Sequence, residues 1–399
     1  MSTSKTALII GAGITGPIMA MALRKAGIAS TIYEAYPTSA DGQGGAMMLA
    51  PNGLAALRLI GAEQAIRSIG QPIARMVLDD WRGKQLGEFA GLTGVEPSQL
   101  VWRSDLYRVL RDLAIANAIR IEYGKKLVHV VEDSNQITAY FDDGSSASGD
   151  LLIGADGIRS TVRTLIDPAA ATLQYTGLLG FGGRASVGDC AGLPGAMHFV
   201  FGKNAFLGHW REPDGGTGWF SNLPHEEPLT ATQARAVPAA DWLRQLHALY
   251  TDDRPGRMLV EHTAPEQLIV TGAGEMLTKV AHWSKGRMVL VGDAVHAPFS
   301  SSGQGVSLAA ESAIELARCL RDLPDLGTAF TAYEKLRRQR VEAVAASAAK
   351  TNNNKAAGPV AKALTHILLP IALKTFFTPK KMFGAYHGYR IDWNARVLA

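Results

Sequence analysis

Three loops hold the residues best suited to chemistry. The first, Gly11-Ala12-Gly13-Ile14-Thr15-Gly16, follows a short apolar run, Thr6–Ile10, and opens a helical stretch reaching about Lys25. Glycines at this spacing permit a tight turn, close approach of a pyrophosphate, and close packing of helix on strand. The backbone N–H groups around Ile14 and Thr15, together with the helix dipole, then attract phosphate. Glu34 closes the next strand about 20 residues on, where a carboxylate accepts hydrogen bonds from a ribose diol. The plainer alternative is a glycine turn that serves only packing. In the second loop, the strand Leu151–Ile153 leads into Gly154-Ala155-Asp156-Gly157, followed by Arg159, Ser160 and Arg163. Asp156 there is either a ligand contact or a helix cap, since aspartate caps helices well. In the third, Met288–Val291 leads into Gly292-Asp293, then His296, Pro298 and Gly303-Gln304-Gly305-Val306. An aspartate at a strand end can bond a sugar-alcohol chain, and a helix starting at Gly305 can stabilise negative charge. His296 and Asp293 lack a third ligand at suitable spacing, so no metal site is expected.

The elements that must position these loops read as an α/β protein. The three strands are short and apolar, as parallel strands covered on both faces are, and each delivers its loop at its carboxyl end. Between about 175 and 275 the texture changes. Met197–Phe201, Ala205–Trp210, Gly218–Asn222 and Met258–Thr263 alternate with turn residues, predicting a mainly antiparallel sheet with one helix over about 239–250. Ala309, Ala313, Leu316, Ala317 and Leu320 form one apolar helical stripe, and a further helix is expected over about 328–348. Thr351–Asn354 reads as a linker to a tail, 351–399, whose apolar stretch Val360–Phe377 contains Pro370. That stretch is expected to dock across two domains rather than lie on an anionic membrane surface.

With 399 residues, 47% of them hydrophobic and 19% charged, the chain is long enough for two domains and is not of disordered composition. Eight Lys/Arg fall at or beyond Lys350, so the remaining body is slightly acidic and nucleic acid is a poor partner. The two cysteines, Cys190 and Cys319, make no ligand spacing; a reducing, cytoplasmic setting is expected. Ala7–Leu23 imitates a signal peptide but is broken by Gly11, Gly13, Gly16 and Pro17, and no transmembrane segment is expected.

Taken together, the three loops resemble the single-component FAD-dependent monooxygenases related to para-hydroxybenzoate hydroxylase, including tetracycline-modifying relatives, over roughly residues 5–345. The resemblance implies a three-layer, Rossmann-like FAD-binding domain of glutathione-reductase type, discontinuous over 1–75, 98–174 and 275–350. Inserted in it is a mainly antiparallel substrate domain (76–97 and 175–274), and a helical tail follows (351–399). It implies that Gly11, Gly13 and Gly16 hold the FAD pyrophosphate, Glu34 the adenosine ribose and Asp293 the ribityl chain. Pro298 and Gly303–Val306 would line the isoalloxazine, and the loop around Asp156 would serve FAD and a passing NADH or NADPH. Arg103, in Trp102-Arg103-Ser104-Asp105, matches a flavin-contacting arginine, and Leu127 falls where the backbone meets adenine. Ala35, Ser307 and Ser312 depart from residues frequent in the family. The implied reaction is hydroxylation of an aromatic or polyketide-like molecule by O2 through a flavin C4a-hydroperoxide, in a monomer or homodimer. The competing reading keeps the flavin but makes the chain an isoprenoid-type reductase or an oxidase; the Trp-x-Trp-x-Ile-Pro sequence of flavin halogenases is absent. Substrate contacts are expected from Phe199, Phe201, His209, Trp219 and Phe220. Phe199, Phe201 and His209 are expected to share one wall over the flavin, with His209 able to deprotonate a phenol-like substrate.

Overall fold

The computed structural model describes the chain apart from residues 1–4, 40–43, 171, 188–191, 278, 299–301, 356–382, 385 and 399, with backbone alone for 347–355. Thr6–Ile10 and Leu151–Gly154 are almost wholly buried, which explains their lack of polar alternation. They pair in parallel at the centre of a six-stranded sheet. Its order is Ser284–Lys285, Met288–Leu290, Leu151–Gly154, Thr6–Ile10, Ala29–Glu34, Arg120–Tyr123, with only the first pairing antiparallel. The register sets Ile10 beside Gly154 and Gly154 beside Leu290, so all three chemical loops leave one edge of the sheet side by side.

The substrate-side sheet has seven strands. Its order is Leu268–Met276, Gln174–Ala185, Thr217–Pro224, Phe206–Arg211, Ala196–Phe201, Arg75–Asp80, Gln85–Ala90, and only the Ala196–Phe201 and Arg75–Asp80 pair is parallel. One face carries Val200, Leu207 and Trp219 into a core with Trp242, Leu246, Tyr250 and Leu259. The other carries Met197, Phe199, Trp210 and Phe220 against Met48, Leu100 and Trp102 of a small sheet formed by Ala46–Leu49, Ser98–Trp102 and Gln71–Ile73. The aromatic face therefore meets the domain that carries the loops.

Three expectations are corrected. The inserted region holds three helices, Ala231–Ala236, Ala239–Leu249 and Arg254–Glu261, so most of Met258–Thr263 is helix rather than strand. Pro255 fits the first turn there, and Leu259 and Val260 supply the buried side. The long helix Leu326–Lys355 runs straight through the expected linker Thr351–Asn354. The helix Gly305–Asp322 has no single apolar stripe: every residue from Ser307 to Leu320 is buried. It is enclosed by the helices Thr15–Lys25, Pro51–Leu59 and Leu326–Lys355, and its polar residues are paired internally. The stretch Val360–Phe377 lies outside the described residues. Among the described residues no helix is long and apolar enough to cross a membrane.

Candidate active site

The first loop is shaped by contacts that only glycine allows. Gly11 has φ +103°, and a Cβ on it would lie 2.6 Å from the Ala155 carbonyl oxygen. A Cβ on Gly16 would lie 2.0 Å from the Gly11 carbonyl oxygen. Gly13 is different: the nearest neighbour of its would-be Cβ is the Tyr107 ring at 3.8 Å, so it borders open space. The helix Thr15–Lys25 begins without a side-chain cap at Ile14, leaving its first N–H groups free for an anion. Glu34 accepts from the Ala12 N–H at 2.7 Å and the Tyr36 N–H at 3.0 Å, so the expected ribose ligand is also the brace of the loop. Leu127 is buried in the main core, beside a segment whose Lys125 N–H donates to the Glu34 carbonyl at 2.7 Å.

The second and third loops are tied to the first. Asp156 accepts from the Ser160 hydroxyl at 2.6 Å and the Val162 N–H at 3.1 Å, so its capping role is present in the structure. Burial nonetheless pushes its carboxyl up. Arg163 donates to the Ala294 carbonyl at 3.0 Å, joining the second loop to the third. Gly292, at φ +64°, packs on Thr15: a Cβ there would meet Thr15 Oγ1 at 2.3 Å. Asp293 feels the charge of Arg103, whose Nε donates to the Tyr107 hydroxyl at 3.0 Å. Burial raises the Asp293 carboxyl and Arg103 draws it back. Burial likewise works against the Arg103 charge, but Tyr107 and Asp293 outweigh it.

Asp293 is half-buried and Arg103 reaches solvent, so the pair borders space open to solvent. Gly303, at φ +60°, and Gly305 border the same kind of open space, with nothing within 4 Å of a would-be Cβ, and the helix they open lacks a side-chain cap. Pro298 and Val306 flank this opening half-buried. A dinucleotide with a flat ring fits these features: two uncapped helix starts for its anionic parts, and glycines where close approach is needed.

The chain carries a match to the model described as "FAD binding domain" over residues 4–181 and 257–348, more than half its length. The chain belongs to this FAD-binding family. FAD is its cofactor, and it is an FAD-dependent monooxygenase. It is 29% identical over 361 residues to the FAD-dependent urate hydroxylase of Klebsiella pneumoniae, covering 86% of this chain and 88% of the relative. It is 29% identical over 346 residues to the aurachin C monooxygenase/isomerase of Stigmatella aurantiaca, covering 85% and 87%. In fold it is similar to Klebsiella pneumoniae HpxO complexed with FAD and uric acid, with TM-score 0.83, 24% identity and 96% and 95% coverage. Tetracycline destructase Tet(55) is similar with TM-score 0.68, 22% identity and 88% and 90% coverage. The resemblance to the para-hydroxybenzoate hydroxylase group therefore holds.

On the substrate side, the flavoprotein's sheet register separates two groups that the sequence put together. Phe199 and Phe201 lie opposite Gly208 and Phe206, whereas His209 lies opposite His198 and Trp219. Because side chains alternate across a strand, His209 and Trp219 point away from the loops, into the helix-covered face. His209 is 3% exposed and Trp219 fully buried, its Nε1 donating to the Thr263 hydroxyl at 2.9 Å. His209 is therefore no base for a substrate at the flavin. Phe199, Phe206 and Phe220 form one aromatic patch, with centroids 5.8 to 6.4 Å apart, and Phe201 joins its edge. Phe206, Trp102 and Trp210 belong to this wall; neighbouring aromatics at alternating positions were the signal for Phe206.

His209 instead stacks on His198 at 4.8 Å and 15°, and His198 Nδ1 pairs with Asp79 at 2.7 Å. These three residues bring possible ligand atoms within 4.8 Å of one another, a grouping hidden because Asp79 and His198 stand 119 positions apart in sequence. His198 Nε2 and His209 Nδ1 are both buried and have no hydrogen-bond partner among the described residues. His296 donates to or accepts from Ser312 at 2.8 Å. Burial, then Coulomb repulsion from His198, pushes His209 down to about 3; burial, then Arg337, does the same to His296. An unfolded histidine titrates near 6.5, so between about 6.5 and 3 the unfolded chain binds more protons and stability falls as pH drops. Urea unfolding from pH 7 to pH 4 should show a pH slope approaching about two protons from these residues. A flat profile would place both rings in contact with solvent.

Proposed function

We propose that this monooxygenase hydroxylates a small, planar, electron-rich aromatic or polyketide-like compound, with NADH or NADPH as transient reductant. The observation that carries this reading is the aromatic face of Phe199, Phe206 and Phe220, turned toward the domain that carries Arg103 and Asp293. The flavin supplies the redox and oxygen chemistry when bound. The chain's own residues have other tasks. Gly11, Gly13 and Gly16 would bring the start of Thr15–Lys25 against the pyrophosphate, and Glu34 would meet the adenosine ribose. Asp293 and Arg103 would hold the middle of the cofactor, and Leu127 would border the adenine side. Pro298 would line the ring, and the free N–H groups at Gly305 and Val306 would stabilise negative charge on it. The loop at Asp156 would serve the passing nicotinamide cofactor. The aromatic wall orients the substrate ring and keeps water out. Relatives named for urate, aurachin C and 3-amino-4-hydroxybenzoate support a heteroaromatic or phenolic substrate.

The test is NAD(P)H oxidation by the FAD-loaded protein with a panel of phenols, purines and quinolones under 18O2. A member of the panel should accelerate oxidation and gain one labelled oxygen. Turnover that persists without O2 would instead make the chain a reductase.

A further inference from the structure

The described residues after 382 touch both the substrate sheet and the helix Gly305–Asp322. Phe383 packs on Phe89 of the substrate sheet at 5.8 Å, and His387 borders a small cavity lined by Pro51, Arg75 and Ala90. A few residues on, Tyr389 lies 4.1 Å over the Arg340 guanidinium and 5.7 Å over that of Arg337. Its hydroxyl donates to Glu315 at 3.1 Å. Further along, Arg318 and Arg321 donate to the Ala395 and Trp393 carbonyls at 2.7 and 2.8 Å. The segment thus runs along the helix Gly305–Asp322 while touching the other domain.

What Tyr389 covers leads back to the flavin side. Arg337 and Arg340 converge on Glu311, which has no exposed surface, at 2.6 and 2.8 Å. Glu311 in turn accepts from Asn52 at 2.7 Å, and the same Asn52 amide donates to Gln304 at 2.9 Å. Gln304 is the residue immediately before the helix start. Ser307, in the first turn, accepts from the Ala50 N–H at 3.2 Å and packs against Gly53 so closely that a Cβ there would lie 2.5 Å from its hydroxyl. The helix start is therefore held by a buried polar chain, not by a cap of its own. Such chains are strongly interdependent, because each buried charge is costly without its partner.

We propose that Tyr389 and Glu311 are positioning residues: the C-terminal segment clasps Arg337 and Arg340 onto Glu311, and so fixes the uncapped helix start at Gly305 against the flavin ring. This rests on the reading that the Gly305 start faces the isoalloxazine.

The test uses the full-length chain. FAD affinity is measured by fluorescence quenching, and the bound flavin's midpoint potential by dye equilibration. Tyr389→Ala should weaken FAD binding at least tenfold and make the flavin harder to reduce. Tyr389→Phe, which keeps the ring over the guanidiniums, should stay within about threefold of wild type. Asn52→Ala should resemble Tyr389→Ala, and the double variant should be little worse than either single one, as coupled residues are non-additive. If Tyr389→Ala lowers only the melting temperature and leaves affinity and potential unchanged, the segment is structural and the proposal is wrong. Additive losses in the double variant would overturn it too, because they deny a shared path. If the potential is insensitive to Asn52→Ala and also to Gln304→Ala, it is the placement of the ring at Gly305 that fails.

Discussion

Gly13→Val is expected to give a protein that folds normally and purifies colourless. A Cβ at Gly13 would meet only the edge of Tyr107, at 3.8 Å, so the apoprotein should keep its melting temperature. The added methyl groups occupy the space at the start of Thr15–Lys25, where the N–H groups and the helix dipole draw a pyrophosphate. Losing that approach should weaken FAD binding by a factor on the order of 100 or more, about 2.7 kcal/mol. Gly16→Val is the contrasting case. Its Cβ collides with the Gly11 carbonyl at 2.0 Å, so the turn itself breaks and apoprotein stability falls along with affinity. Calorimetry of both apoproteins with FAD titration separates the two effects. Unchanged FAD binding by Gly13→Val would remove the pyrophosphate from this loop.

The second large effect concerns the sheet. Phe220→Ala should raise KM for whichever aromatic compound stimulates turnover by roughly tenfold, about 1.4 kcal/mol, and divert more reducing equivalents to H2O2. The Phe220 ring leans over Gly208, where a Cβ would be 2.2 Å away, so glycine makes the room for the aromatic wall. His209→Ala should do the opposite. It empties a buried site and destabilises the fold by about 2–4 kcal/mol, while KM and coupling stay near wild type. If His209→Ala abolished substrate stimulation in a folded protein, the division of the sheet into a flavin face and a helix face would be wrong.

The two predictions differ in how far sequence could have made them. Gly11, Gly13, Gly16, Glu34, Gly292 and Asp293 are legible because their geometry is local: a buried strand, a tight turn and a helix start lie within a few residues, and glycine spacing encodes them directly. The order of the three loops along the chain also forecast that they would meet, since parallel strands deliver loops at one edge. Helix ends were less legible. Thr351–Asn354 has linker composition, yet the helix Leu326–Lys355 passes through it, and the Arg-Pro-Gly of Arg254–Glu261 reads as a turn although it opens a helix.

What the sequence determined by itself is the FAD-binding architecture, because each loop's chemistry sits in one short stretch of chain. What only tertiary structure decided is which side of the substrate sheet faces the flavin, and what holds the helix start at Gly305. Phe199 and His209 lie on different strands, and a one-residue change in the register between them would bring both to one face. Asn52, Glu311 and Tyr389 meet only because three helices and the C-terminal segment are packed around one buried carboxylate. No spacing along the chain records such a meeting.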